Sequence, residues 1–124
     1  MIFSIIYVKI LKYFIVVQPD IVVYCDNTKI DRKGGMGAPD FIVEIVSPSS
    51  SGRDRVIKFN KYLQAGTREY WIVDPEGKSV SVHILKDGHY ISSAYGEEDI
   101  IDVHVLEGCQ INMQEVFEDS VLIF

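Results

Sequence analysis

The segment FIVEIV, residues 41–46, is an almost continuous run of apolar residues with one carboxylate in its middle, Glu44. Val, Ile and Phe favour strands, and nearly continuous apolar runs are typical of strands buried on both faces. An ionised carboxylate in such a strand is costly unless it is paired or binds a metal ion. Glu44 therefore constrains this chain more than any other residue, because the fold has to supply it with a partner.

A second carboxylate stands at the start of the preceding apolar run. Pro19 and Asp20 open the run IVVY, and proline is tolerated at the first residue of a strand. Asp20 taken alone fits ordinary turn chemistry. Taken with Glu44, it predicts two acidic side chains on neighbouring strands. Asp40 also follows a proline, and we interpret it as a structural turn residue.

The other segments alternate between strand and helix patterns. A helix is expected to end at Gly66, because glycine is the usual residue after a helix terminus. The predicted elements are a loop over 26–37, a helix over 53–65, a strand over 69–74, a hairpin of 79–85 and 89–94, a strand over 100–105 and a short helix capped by Asn112. A strand–helix–strand order suggests a crossover within one sheet. We predict one α/β domain, residues 1–124, with a mixed central sheet and few helices.

Side-chain spacing predicts which residues of the helix face the sheet. Val56, Phe59 and Leu63 recur at i, i+3 and i+7, so they are expected to point inward, with Lys58 and Lys61 on other faces. The aromatic pair at 70 and 71 is expected in the core, because buried-strand aromatics are far more often core residues than stacking platforms for bases.

Composition limits the possible partners. The net charge is −6 over 124 residues, whereas phosphate neutralisation drives tight binding of nucleic acids by basic proteins. A nucleic acid would therefore be held weakly, although a metal site suits a carboxylate-rich chain. Cys25 and Cys109 lack metal-ligand spacing and are expected to be reduced thiols. The three histidines are interpreted as ordinary sheet or turn residues.

The first 17 residues are strongly apolar but carry Lys9 and Lys12. The run is short for a membrane span and lacks the small-residue cleavage site of an export signal. We predict a strand, or a strand pair with a tight bend, in a cytoplasmic protein with no membrane association.

Three stretches, QPDIVVYCD, GAPDFIVEIVSPSS and RDRVIKFNKYLQAGTREYWIVDPE, resemble the putative restriction endonuclease family of the PD-(D/E)XK nuclease superfamily. The resemblance is strongest over residues 18–90. It implies that Asp20 is the acid of the PD motif and Glu44 the acid of the (D/E)XK motif. Val46 occupies the usual lysine position, and the resemblance assigns that role to Lys58. Lys61, on the same helix, is an alternative candidate for it. Asp54 matches a family position of unclear role.

The resemblance implies a restriction-endonuclease-like fold and an endonuclease that hydrolyses DNA with Mg²⁺ or Mn²⁺ held by Asp20 and Glu44. No Asp or Glu precedes Asp20, whereas family members carry a further acid in a longer N-terminal half. The expectation is thus a sheet that is incomplete at the N-terminus. An inactive nuclease fold that serves as a binding or assembly module is the alternative. Exposed sheet edges would also favour a homodimer.

Overall fold

The protein is described by a computed structural model that covers residues 7–9, 20–25, 30–31, 34–35, 38–47 and 52–119. A mixed sheet with one main helix forms its centre, which confirms the predicted α/β class. The sheet order is β1-β2-β5-β6-β7-β8. Its strands are β1 (Tyr7–Lys9), β2 (Ile21–Tyr24), β5 (Phe41–Ile45), β6 (Glu69–Asp74), β7 (Ser79–Lys86) and β8 (His89–Gly96). Two-residue strands β3 (Ile30–Asp31) and β4 (Gly34–Gly35) pair separately, inside the predicted loop.

Helix α1 (Gly52–Ala65) connects β5 to β6, and these two strands pair in parallel. The predicted crossover and helix bounds are therefore confirmed. Gly66 follows the helix with φ of +85°, a left-handed conformation that glycine adopts without steric cost. The backbone N–H groups of Gly66 and Thr67 bond back to carbonyls of the last turn, which ends the helix at this point.

The β7–β8 hairpin closes with a two-residue turn. Lys86 pairs with His89, and the residues between them, Asp87 and Gly88, have φ of +52° and +80°. Two successive positive φ values match the twist of antiparallel strands, and Asp-Gly is a preferred sequence for such turns. The predicted hairpin is thus confirmed, with both strands longer than expected.

The C-terminal part covers one face of the sheet. Its elements are β9 (Ile100–Asp102), β10 (Gln110–Asn112) and α2 (Met113–Asp119). The expected strand over 100–105 was too long, because the chain turns after Asp102 to let β10 pair with β9. The Asn112 cap is confirmed by a 3.0 Å bond from the Gln114 N–H to its side chain. Met113, Phe117 and Ile101 pack with Trp71 in the larger core cluster.

Helix α1 lies on the opposite face. Tyr62, Tyr70 and Ile42 form a second buried cluster there, and Phe59 packs against it. The expected orientation of the helix was partly wrong, since Val56 is 59% exposed. The helix instead turns Tyr62 and Lys58 toward β5, where the ring is buried and the ammonium group meets a carboxylate.

Within the apolar N-terminal run, residues 7–9 form strand β1, which pairs antiparallel with β2. The rest of the first 17 residues, and with them the predicted bend, lie outside the described residues. In the parts of the chain that the structure describes, no helix combines the length and the apolar character needed to cross a membrane.

Candidate active site

Strand register brings the two predicted acids together. In the antiparallel β2–β5 pair, Ile21 lies opposite Val43, and extending this register by one residue places Asp20, just before β2, opposite Glu44. Directly opposed residues of an antiparallel pair project from the same face of the sheet. That face is the one covered by α1, because Ile42, two residues before Glu44, packs against Tyr62 of the helix.

Glu44 is buried, and both of its oxygens are hydrogen-bonded. Its side chain is 5% exposed. Lys58 Nζ lies 2.8 Å from Oε2, and the Tyr62 hydroxyl donates to Oε1 at 3.0 Å. The cost of burying this carboxylate is therefore offset by one ion pair and one neutral donor. The anomaly seen in the sequence is resolved by two residues of the same helix.

Lys58 and Tyr62 are four residues apart on α1, which places them on one face of the helix. Lys58 is 28% exposed, so its ammonium group reaches both the buried carboxylate and solvent. The expectation that Lys58 would sit on another face was wrong. Its long stem crosses from the helix to the strand while the charged end remains partly hydrated.

Asp20 occupies the exposed end of the same arrangement. Its Oδ2 accepts the backbone N–H of Ile45 at 2.7 Å, which fixes the carboxylate beside the strand that carries Glu44. A backbone amide can orient a carboxylate in this way without any second side chain. Asp20 thus lies where the sheet opens to solvent, next to a buried acid.

Tyr62 remains a hydrogen-bond donor across the ordinary pH range. Burial is the largest cause that raises its pKa, followed by the negative charge of Glu44 and the hydrogen bond to it, with Asp20 adding a smaller effect. The pKa of Tyr70 is raised by burial and by Glu44 in the same way. The influence of Asp20 on Tyr62 places both acids in the electrostatic environment of one hydroxyl.

An aromatic cluster continues from the site along the helix-facing side of the sheet. Tyr62 and Tyr70 meet edge to face at 5.0 Å between ring centroids, and Phe59 contacts His83 at 5.0 Å and Tyr90 at 5.2 Å. The His83 ring also lies 2.6 Å from the Ser92 hydroxyl, and burial lowers its pKa. The cluster fixes the helix against the sheet, and with it Lys58 and Tyr62.

Two other buried acids serve the fold. Asp40 accepts the Cys25 N–H at 2.8 Å and faces Arg68 at 3.4 Å, in keeping with its interpretation as a structural residue. Glu69 is fully buried on the opposite face from Glu44 and accepts bonds from Trp71 Nε1 at 2.7 Å and the Val105 N–H at 3.0 Å. Its partners are neutral donors that hold the C-terminal segment onto the sheet.

The structure therefore brings Asp20, Glu44 and Lys58 to one place. Lys61, the proposed substitute, is exposed, and the side chain of Asp54 lies outside the described residues. Val46 is buried and carries no charge. Sequence reasoning missed Tyr62, although its spacing of four residues from Lys58 is the signal that could have identified it.

The donor set fits a magnesium ion held partly by water. Mg²⁺ is commonly bound through one or two carboxylates, with waters and phosphate oxygens completing an octahedral shell. Within the described residues, no group of three or more His, Cys, Asp or Glu side chains forms a metal-binding cluster. Each carboxylate oxygen has two lone pairs, so Glu44 keeps acceptor capacity beside Lys58 and Tyr62. Asp20 and Glu44 could supply the protein ligands.

A family model matches residues 10–114, which is most of the chain. It is Uma2, described as "Putative restriction endonuclease". The chain belongs to this family. The resemblance drawn from the sequence motifs is thereby confirmed.

A solved structure supports the fold assignment. The chain is similar to the crystal structure of "a putative nuclease belonging to DUF820" from Anabaena variabilis ATCC 29413, with a TM-score of 0.66 and 21% sequence identity. The match covers 82% of this chain and 60% of that one, so the chain spans less than two thirds of the length of that nuclease. No curated protein matches the chain at a significant level.

Proposed function

We propose that this Uma2-family protein is a Mg²⁺- or Mn²⁺-dependent endonuclease of the PD-(D/E)XK type that hydrolyses phosphodiester bonds of DNA. The observation that carries the proposal is the convergence of Asp20, Glu44 and Lys58 at one end of the β2–β5 pair. The family to which the chain belongs supports a nucleic-acid substrate. The proposed site lies in a single domain, residues 1–124.

Each residue of the proposed site has a distinct task. Asp20 would hold the ion at the solvent-exposed end, near where a phosphate would approach. Glu44 would be the second ligand, in an orientation fixed by its two hydrogen bonds. A bound divalent ion would lower the pKa of a coordinated water and polarise the phosphate.

Lys58 is the proposed electrostatic partner of the reacting phosphate. Its ammonium group is near enough to Glu44 to be held and exposed enough to meet an anion or orient a water molecule. Lys58 is thus placed to act on the phosphate while it also pairs with Glu44.

The proposed DNA contact is weak and depends on the metal ion. The chain carries 18 acidic and 12 basic side chains, so its net negative charge repels the phosphate backbone of DNA. A divalent cation held by the two acids would supply positive charge where the phosphate is proposed to bind. We propose that the protein acts in the cytoplasm.

Nicking of supercoiled plasmid tests the proposal. The parent chain should nick the plasmid in Mg²⁺ or Mn²⁺ but not in EDTA, and Asp20→Asn and Glu44→Gln prepared in the same way should be inactive. Asp87→Asn is a matched control, since Asp87 is an exposed turn acid far along the chain from the site and asparagine tolerates its positive φ. Equal cleavage by the parent and Asp20→Asn would refute the proposed site.

A second candidate is an inactive nuclease fold that acts as a binding or assembly module. It is favoured by the absence, within the residues that the structure describes, of a third metal-ligating side chain near the two acids. This candidate predicts no metal-dependent nicking by the parent chain. Titration of Mn²⁺ by calorimetry helps to distinguish the two candidates. The proposed nuclease should bind the ion through Asp20 and Glu44, and the binding should be lost in Asp20→Asn and Glu44→Gln.

A further inference from the structure

Strand β8 forms one edge of the six-stranded sheet, with β7 as its neighbour among the described strands. Edge strands present unpaired N–H and C=O groups. Natural proteins prevent such edges from pairing with other chains by charges, prolines, bulges or short strands. The eight residues HYISSAYG of β8 include no Lys, Arg, Asp, Glu or Pro. Their register with β7 runs through eight consecutive pairs with no bulge, and Ile91 is 55% exposed.

The backbone groups that face outward can be identified from the register. The Leu85 N–H donates to the Arg68 carbonyl, so the backbone of Leu85 points away from β8. Its partner in the register is Tyr90, whose N–H and C=O must therefore point to the free side of β8. Alternation along the strand gives the same outward direction to Ser92 and Ala94.

The open part of the edge has a defined end. Gly96 would be the next outward-facing residue, but its N–H donates to the Asp99 side chain at 2.6 Å and its carbonyl accepts the Asp99 N–H at 3.3 Å. Asp99 thus occupies this position. Three residues with outward backbone groups are left, and they are symmetric about Ser92.

We propose that this edge pairs with the same edge of a second copy of the chain, antiparallel and with a two-fold axis at Ser92. Tyr90 of each copy then lies opposite Ala94 of the other, so that every outward N–H and C=O of the three residues is matched. The two six-stranded sheets join into one continuous sheet. This inference is independent of the nuclease activity proposed above.

The charges at the ends of β8 favour this antiparallel arrangement. The acidic segment Glu97-Glu98-Asp99 follows β8, whereas the turn before it carries Lys86 and Asp87, whose charges cancel. A parallel pairing would place the two acidic segments side by side. The antiparallel pairing places each of them beside the turn of the other copy, where Glu98 faces Lys86 and Glu97 faces Asp87, so the repulsion is weaker than between two acidic segments.

Light scattering coupled to size exclusion tests the proposal, with the free chain across a hundredfold range of concentration. The parent should show twice the 14.1 kDa mass of the chain. Ala94→Pro removes an outward N–H and leaves the β7 ladder intact, so it should be monomeric, whereas Ala94→Thr retains the N–H and should be dimeric. A monomeric parent at all concentrations, or a dimer that survives in Ala94→Pro, overturns the proposal.

A second pair of variants keeps the test valid if the proline variant fails to fold. Ser92→Lys places two ammonium groups opposite each other at the axis and should be monomeric. Ser92→Ala also removes the hydroxyl contact to His83 but adds no charge, so it should be dimeric. Circular dichroism checks that both variants are folded. Equal masses for the two variants would overturn the proposed register.

Discussion

The hydroxyl of Tyr62 lies 3.0 Å from Oε1 of Glu44 and donates a hydrogen bond to it. This bond joins the buried side of α1 to the strand that carries the central acid. Together with the 2.8 Å contact from Lys58 to Oε2, it fixes the orientation of the Glu44 carboxylate. The helix that covers the sheet is therefore also the element that prepares the proposed metal ligand.

If Glu44 holds a divalent ion as proposed, Tyr62→Phe should lower the affinity of the protein for Mn²⁺. The ring and its contact with Tyr70 are retained, but one bond that orients Glu44 is lost. Loss of a bond to a metal-ligating side chain typically lowers metal affinity by about 10- to 100-fold. Titration of Mn²⁺ by calorimetry measures the change. Tyr90→Phe is the control, because its hydroxyl bonds to the Thr67 carbonyl instead, and equal effects of both variants would argue against a role for Tyr62.

Lys58→Met should destabilise the fold more than Lys61→Met. Removal of the ammonium group leaves a buried carboxylate with one fewer partner, and hydrogen bonds to charged groups contribute about 1.5–3 kcal/mol. Because Lys58 is 28% exposed, water replaces part of the lost interaction and the lower end of this range is expected. Urea unfolding measures the difference in free energy. If both variants unfold at the same midpoint, the Lys58–Glu44 pair does not stabilise the fold.

Glu69→Gln should lower the free energy of unfolding by about 1–3 kcal/mol, the cost of leaving a buried polar group unsatisfied. Both oxygens of Glu69 accept bonds, from Trp71 Nε1 and from the Val105 N–H. An amide offers one acceptor oxygen and would direct its NH₂ at a donor. Glu76→Gln, at an exposed position, is the matched control in urea unfolding. A loss no greater than that of the control would contradict this prediction.

His83 should make stability fall as the pH drops from about 7 toward 5. Burial lowers its pKa from the ordinary value of 6.5, so the unfolded chain binds this proton more readily than the folded one. Stability therefore rises with pH between the folded and unfolded pKa values and is fully present above 6.5. His83→Gln should flatten this part of the thermal stability profile, whereas the exposed His104→Gln should leave it unchanged. Parallel profiles for parent and His83→Gln would contradict the prediction.

Several elements follow from local chemistry and could be predicted from the sequence. Glycine after an amphipathic run ends α1 at Gly66, and Asp87-Gly88 selects the hairpin turn between two apolar strands. Asn112 caps α2. These features depend on backbone conformations available to residues that are close together in the chain, and for that reason a sequence pattern is sufficient to locate them.

Spacing alone failed where packing decided the outcome. The i, i+3, i+7 pattern predicted Val56 on the inner face of α1, but the helix turns Tyr62 and Lys58 inward instead. The strand predicted to continue to Val105 ends at Asp102, since the chain turns back to let β10 pair with β9. Contacts between elements set both results.

The sequence by itself determined that Glu44 had to find a partner, because a charge in an apolar strand is too costly to leave alone. It also indicated Asp20 and Lys58 through the family motif, and their catalytic roles stay predictions. Only the tertiary structure decided which groups meet: the strand register set Asp20 opposite Glu44, and the rotation of α1 supplied Lys58 and Tyr62. The reason is that register and rotation are fixed by packing across the whole sheet.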